Sequence, residues 1–308
     1  MKSGGEEAIP EWRALFAAAA PHLEVRWIGE EGLPRERVRY ALVWAPEPGA
    51  LARFPHLRLI LSTGAGVEHI VGDPDWPRHV PLVRMGGAEA AQRMGEFVCL
   101  AALALLRDLP RVIAGQQARH WETFETARTA RETRVGIMGL GNLGRAAAGM
   151  LGALGFPLAG WSRRSKAAEG VECFAGPDQL EAFLARTDIL VNLLPDTPQT
   201  RGLIEAAVLA RLPEDAGVVN AGRGPQLVLA DLLAALDAGR VGGAVLDVFD
   251  PEPLPPEHPL WSHPRVIITP HIASLPSRPA RARYAADAIA AFERGERVAN
   301  VYEAERGY

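Results

Sequence analysis

Gly139-Leu140-Gly141-Asn142-Leu143-Gly144 stands between an apolar run, residues 135–138, and an alanine-rich stretch, residues 145–154. Strand, glycine turn and helix in that order form the fingerprint of a dinucleotide-binding unit. The glycines permit a tight turn and close backbone approach, and the helix N-terminus faces a pyrophosphate. The spacing alone also occurs in turns that bind nothing, so the flanking strand and helix decide the reading. Gly139, Gly141 and Gly144, with Asn142 and Leu143 at the helix start, are the candidate cradle. About 20 residues further on, an Asp or Glu would accept hydrogen bonds from the ribose of NAD. Here a second strand, residues 157–161, runs instead into Ser162-Arg163-Arg164-Ser165-Lys166. No carboxylate stands in that turn, whereas two guanidiniums, an ammonium and two hydroxyls can donate to a 2′-phosphate. The turn favours NADP(H) over NAD(H), against the plainer reading of a solvated basic loop.

The fingerprint begins at position 139 of 308 residues, which implies that another domain precedes it. In that earlier part a helical stretch, residues 10–20, is followed by short apolar runs at 25–28, 40–44, 57–62 and 81–84. Their alternation with helical segments predicts a small parallel α/β layer. Residues 57–62 lead into Thr63-Gly64-Ala65-Gly66-Val67, a turn that could bring backbone N–H groups against an anion or simply join strand to helix. Helical patterns follow at 93–108 and 111–121, then a polar connector at 122–132. The second α/β part has strands at 134–138, 157–161, 188–194, 217–220, 243–248 and 266–269, and a last helix at 279–294.

A 48% hydrophobic composition is enough to build two cores. The net charge of −4, with acids and bases dispersed, gives no electrostatic footprint for nucleic acid; Arg278, Arg281 and Arg283 read as a solvated helix face. Residues 1–10 are polar and acidic, without the basic start and apolar core of a signal peptide. No run reaches the ~18 apolar residues of a membrane span, so a soluble, cytoplasmic protein is expected. Cys99 and Cys173 form no disulfide framework. His258 and His263 lack the acid or cysteine cluster that would complete a metal site.

In an open α/β sheet, ligands sit beyond the carboxyl ends of the strands. Three such ends carry suitable groups. Asn220-Ala221-Gly222-Arg223-Gly224 puts an arginine in a glycine-flanked turn, where its planar fork could hold a carboxylate in a bidentate pair. Asp247-Val248-Phe249-Asp250-Pro251-Glu252-Pro253 puts Glu252 between prolines that fix the backbone. Thr269-Pro270-His271-Ile272-Ala273 puts His271 directly after the last strand. Hydride transfer to a keto carbon requires a proton at the oxygen. Histidine suits that step near neutral pH, and a neighbouring carboxylate would keep the imidazolium populated. Each residue alone could be a surface charge or a satisfied strand-end side chain; their order after a cofactor loop carries the inference.

Through the GLGNLG loop, the NAGRG turn, DVFDPEPLP and TPHIAS, the chain resembles the D-2-hydroxyacid dehydrogenase family. Within it, the chain is most similar to the A-type glyoxylate/hydroxypyruvate reductases. That similarity extends to Leu42-Val43-Trp44, Gly155-Phe156-Pro157, Trp161-Ser162-Arg163, Asn192-Leu193-Leu194-Pro195 with Thr197-Pro198, and Arg306-Gly307-Tyr308. The resemblance implies two doubly wound parallel-sheet α/β domains. A Rossmann-type cofactor domain, residues 101–272, is inserted into a flavodoxin-like substrate domain, residues 1–100 and 273–308. It further implies that Arg223 binds the 2-keto acid, that His271 is the proton donor and that Glu252 is its partner. Leu194, Pro195, Thr200, Ala221 and Asp247 join the cofactor contacts, and Trp44, Gly64, Ala65 and Gly66 the substrate contacts, with Arg84 and Trp121 as weaker pocket candidates.

The activity implied is NADPH-dependent reduction of glyoxylate to glycolate and hydroxypyruvate to D-glycerate by a homodimer. Two alternatives remain: a dehydrogenase for a larger D-2-hydroxy acid, and a cofactor-sensing corepressor, against which the Arg, Glu and His trio weighs. The family usually opens with a β-strand, so the polar residues 1–10 predict a shortened sheet edge. The Gly-Ala-rich residues 85–93 also depart from the family pattern.

Overall fold

The computed structural model describes residues 1–305 and residue 307; Arg306 and Tyr308, which carried the last part of the resemblance, lie outside the described residues. The chain divides into two compact units, Met1–Glu89 with Pro276–Tyr308, and Ala90–Leu275. The crossings fall before position 100 and after position 272. Helix Ala88–Leu106 accounts for the first, because its buried face, Met94, Val98, Ala101 and Ala102, packs into the core of the larger unit.

The smaller unit has three parallel strands, β1 (Tyr40–Val43), β2 (Leu59–Ser62) and β3 (Leu82–Val83), in the order β1-β2-β3. Alternate residues of a strand face opposite sides. Leu42, Leu59 and Leu61 therefore join one core, with helices Ile9–Ala19 and Arg278–Glu293, while Ala41, Val43 and Ile60 join another. The sheet is extended at both edges by isolated pairings. Lys2 bridges Val43 in parallel, Ile28 N–H donates to the Met1 carbonyl at 3.0 Å, and Val301 bridges Val83 antiparallel. The ladders themselves remain β1-β2-β3, and these edges add single pairings to them.

Residues 25–28, expected as a strand, form no ladder. Gly4 and Gly5, at φ 78° and 80°, turn the chain away directly after Lys2 and Ser3 and leave them almost no partner. The arginine cluster on the last helix is also less solvated than expected. Arg278 pairs with Glu11, and Arg281 is half-buried with its guanidinium 5.5 Å from the centre of the Trp12 ring. Burial lowers its pKa.

The larger unit has seven strands: β4 (Val135–Met138), β5 (Leu158–Ser162), β6 (Val171–Ala175), β7 (Ile189–Asn192), β8 (Ala216–Asn220), β9 (Val241–Leu246) and β10 (Val266–Ile268). Their order is β10-β9-β8-β7-β4-β5-β6, with every pair parallel. This is a doubly wound sheet whose order reverses between β4 and β7, where such folds open a ligand crevice. Val135, Ile137, Ile189, Val191, Val219 and Val245 face one core, and Met138, Leu190, Val218, Ala244 and Leu246 the other. A parallel sheet covered on both faces requires such continuous apolar strands. Among the described residues no helix is long and apolar enough to cross a membrane.

The amino end of this sheet is closed by one buried carboxylate. Asp188 accepts hydrogen bonds from Arg134 N (2.8 Å), Nε (2.9 Å) and Nη2 (2.8 Å), and Arg128 Nη1 lies 3.0 Å away. Burial alone would raise its pKa, but the Arg134 hydrogen bonds and the two guanidinium charges outweigh it and hold the group below the ordinary carboxylate value. A depressed pKa stabilises the fold above the unfolded-state value of about 3.9, and that contribution is lost as pH falls through the folded value. Asp188→Asn is expected to cost about 1–3 kcal/mol at neutral pH. In urea titrations the gap from the parent should close below about pH 4; a gap independent of pH would assign the loss to packing.

Candidate active site

Strand register aligns the carboxyl ends of six strands. Trp161, Met138, Asn192, Asn220, Leu246 and Ile268 pair in one row across β5, β4, β7, β8, β9 and β10. Apart from Thr200 and Trp121, the site residues expected in the larger unit follow this row within a few positions, so those candidates share one rim of the sheet.

After β4, Gly139 adopts φ 103°, and a Cβ there would lie 2.7 Å from the Leu193 carbonyl oxygen. A Cβ on Gly144 would collide with the Gly139 carbonyl, while one on Gly141 would meet nothing within 4 Å. Two glycines thus close the turn, and the third leaves space in front of helix Asn142–Ala153. That helix has no side-chain cap and no acid in its first turn. Its N-terminal amides and dipole are those an anionic pyrophosphate needs. At the end of β5, Ser162 is buried and its Oγ accepts from Leu140 N at 3.3 Å, while Lys166 Nζ donates to Leu140 O at 3.1 Å. The basic turn is therefore fastened to the glycine loop from both sides of Leu140, with Arg163 and Arg164 exposed beside it. These residues fit a phosphorylated dinucleotide.

After β9 and β10 the structure joins Glu252 to His271. His271 Nδ1 lies 2.8 Å from Glu252 Oε2, and both side chains are about one-third exposed, at 36%. The other carboxylate oxygen accepts from Phe249 N at 2.8 Å, so Glu252 is held on its own turn. His271 has φ 54°, a left-handed conformation unusual outside glycine. Asp247 enforces it. Its Oδ1 accepts from Thr269 Oγ1 (2.6 Å) and Ile272 N (2.9 Å), its Oδ2 from Ala273 N (2.9 Å), and its carbonyl from His271 N (2.9 Å). Asp247 is 1% exposed, and what it grips in this structure is the histidine turn.

After β8, Arg223 follows Ala221 and Gly222 in a half-buried turn, with Nη1 donating to the Gly222 carbonyl at 2.8 Å. Beneath it lies a buried amide cluster that the sequence reading did not pick out. Asn192 Nδ2 donates to Asn220 Oδ1 (2.9 Å) and to Gln226 Oε1 (2.6 Å), and all three side chains are 0% exposed. The available signal was an asparagine as the last residue of each of two apolar strands, since a polar group buried there must find a partner. Leu194 and Pro195 follow β7 on the same rim. Thr200 fastens their loop, donating to the Pro195 carbonyl at 2.7 Å and accepting from Thr197 N at 2.9 Å.

Trp44, Gly64, Ala65 and Gly66 belong to the smaller unit. Ser62 Oγ accepts from Gly64 N at 3.2 Å and donates to Gly66 O at 3.1 Å, which shapes the turn after β2. The Trp44 ring lies over Gly64, where a Cβ would strike it, and its centre is 4.1 Å from that of His69. Arg84 is half-buried in this unit, while Trp121, in the larger one, is 95% exposed.

Comparison with known proteins gives the same direction. Residues 99–273 match the NAD-binding domain of the D-isomer specific 2-hydroxyacid dehydrogenases. A D-isomer specific 2-hydroxyacid dehydrogenase from Xanthobacter autotrophicus Py2, solved with NADPH and MES, is 42% identical; the match covers 99% of this chain and 98% of that one with a TM-score of 0.93. The NADPH-dependent glyoxylate/hydroxypyruvate reductase of Sinorhizobium meliloti, solved with NADP and sulfate, is 40% identical over 97% of both chains, with a TM-score of 0.89. A probable 2-hydroxyacid dehydrogenase from Rhizobium etli CFN 42, solved with NADP, HEPES and L(+)-tartaric acid, is 36% identical, covering 100% of this chain and 98% of that one, with a TM-score of 0.90.

Proposed function

The chain belongs to the D-isomer specific 2-hydroxyacid dehydrogenase family, and on that premise we propose that it reduces small 2-keto acids with NADPH, glyoxylate to glycolate and hydroxypyruvate to D-glycerate. The observation that carries this reading is the His271–Glu252 contact on the same strand rim as the glycine loop and Arg223. A 2-keto acid, NADPH and a proton become a 2-hydroxy acid and NADP⁺. When bound, the reduced nicotinamide supplies the hydride to the keto carbon. Arg223 pairs with the substrate carboxylate and orients the adjacent carbonyl. As the carbonyl π pair moves onto oxygen, His271 delivers a proton there. Because the Glu252 carboxylate accepts at Nδ1, that nitrogen keeps its hydrogen and Nε2 is the atom that gives the proton up. The test is steady-state NADPH oxidation with a panel of 2-keto acids from glyoxylate to phenylpyruvate. Highest efficiency with the small members is expected, and no turnover of any member would overturn the reading.

Cofactor choice rests on the turn after β5, which holds Arg163, Arg164 and Lys166 and no acid. Charge-assisted hydrogen bonds contribute about 1.5–3 kcal/mol each, so one lost contact is worth roughly 10- to 150-fold. Arg163→Ala combined with Arg164→Ala should raise the KM for NADPH by at least that factor and leave the KM for NADH nearly unchanged. The NADPH dependence of the S. meliloti relative supports the assignment; equal efficiency of the parent with both cofactors would remove it.

A further inference from the structure

Gln226 makes no contact expected of a catalytic group, yet every hydrogen-bonding position of its side chain is used. Its Oε1 accepts from Arg223 N at 2.9 Å and from Asn192 Nδ2 at 2.6 Å. Its Nε2 donates to Leu194 O at 3.0 Å and to Pro195 O at 2.8 Å. An amide offers two acceptor sites and two donors, and all four are engaged in a side chain that is 0% exposed. The neighbours dictate its orientation, since Arg223 presents an N–H and residues 194 and 195 present carbonyls. The cluster is also close-packed: a Cβ on Gly222 would come within 2.5 Å of Gln226 Oε1 and 2.8 Å of Asn192 Nδ2.

We propose that Gln226 is a positioning residue that locks the Arg223 turn to the loop after β7, so that the substrate anchor and the cofactor-facing loop hold one register. Residues 193–195 and 221–223 leave neighbouring strands, β7 and β8, at paired positions Asn192 and Asn220. No backbone hydrogen bond joins Arg223 to Leu194 or Pro195 among the described residues; Gln226 spans them with one amide. Partly satisfied, such a network costs more than none, because each buried group left unpaired retains its desolvation penalty. The inference rests on the reading of Arg223 as substrate anchor for its substrate arm alone, and its cofactor arm stands independently.

Gln226→Met keeps the side-chain length and removes all four hydrogen bonds. The expected result is a KM for glyoxylate raised about 10-fold or more and a Kd for NADPH, from direct fluorescence titration, raised severalfold. A merely structural role would lower the active fraction, and with it the apparent kcat, at unchanged KM and Kd. That outcome overturns the proposal. Gln226→Glu, a variant that keeps the polarity, supplies a second readout. Ionised, its carboxylate would face the two carbonyl oxygens of Leu194 and Pro195, and burial disfavours that charge. Its efficiency should fall through a new ionisation above the ordinary glutamate value of about 4.3 and recover at lower pH, a step absent from the parent; a profile parallel to the parent's counts against the proposal. Should the parent reduce no 2-keto acid, the proposed activity fails, and the NADPH Kd of Gln226→Met still decides the present inference: unchanged affinity overturns it.

Discussion

In His271→Ala, turnover of glyoxylate is expected to fall about 10²- to 10⁴-fold, the usual contribution of a positioned acid, while NADPH binding persists. The imidazole stands on a turn that four hydrogen bonds to Asp247 and its backbone fix in a left-handed conformation, and its Nδ1 is tied to Glu252. Alanine removes the proposed proton source without touching the glycine loop or the basic turn, so the loss should lie in kcat and not in cofactor affinity. Glu252→Gln tests the electrostatic half of the pair. It retains the shape but removes the negative charge that favours imidazolium. If reduction consumes the protonated imidazole, activity in the parent should fall on the alkaline side of its pH profile. In the variant the same alkaline limb should move to lower pH. Superimposable limbs would dismiss Glu252 as the electrostatic partner, and undiminished turnover in His271→Ala would require another proton donor.

The fold was legible wherever strands are buried on both faces. Continuous apolar runs such as residues 135–138 and 189–191 stand out, because a doubly covered parallel sheet needs them. Reading by hydrophobicity loses what lies at the edges. β6, Val171–Ala175, has no buried residue and carries the exposed Glu172, and the sequence reading assigned no strand there. Residues 25–28 were apolar enough to predict a strand, but a ladder needs a longer partner than Met1, which alone bonds to Arg26 and Ile28 before the glycine turn after Ser3. Helix Ala88–Leu106 begins earlier than its apolar periodicity suggests, since residues 88–92 supply helix-forming alanines without a hydrophobic stripe.

The site was legible as order along the chain. Gly139, Arg223, Glu252 and His271 each follow a strand, and strand register is what sets them on one rim. The amides were not legible. Asn192 and Gln226 are 34 positions apart, and nothing local in either residue tells that β7 and β8 will lie side by side. Asp247 shows the same limit from the other side, since its acceptors are spent on Thr269, Ile272 and Ala273, which belong to the next strand's turn.

Arg223→Lys is expected to lower kcat/KM for glyoxylate by roughly 10- to 150-fold, the value of one charge-assisted hydrogen bond at about 1.5–3 kcal/mol, and Arg223→Ala by considerably more. Lysine preserves the positive charge, so a role in general attraction of anions would survive the change. What it loses is the planar fork proposed to grip both carboxylate oxygens and thereby orient the neighbouring carbonyl. If orientation matters, KM and kcat should deteriorate together, because misplacing the reacting carbon weakens the transition state as well as the ground-state complex. The backbone of residue 223 keeps its hydrogen bond to Gln226 in this variant, so the loop after β7 stays in place and NADPH affinity should be unchanged. That separates Arg223→Lys from Gln226→Met, in which both constants move. A lysine variant with parental efficiency would mean that the carboxylate is held elsewhere, and one that loses NADPH affinity would place the guanidinium on the cofactor instead of the substrate.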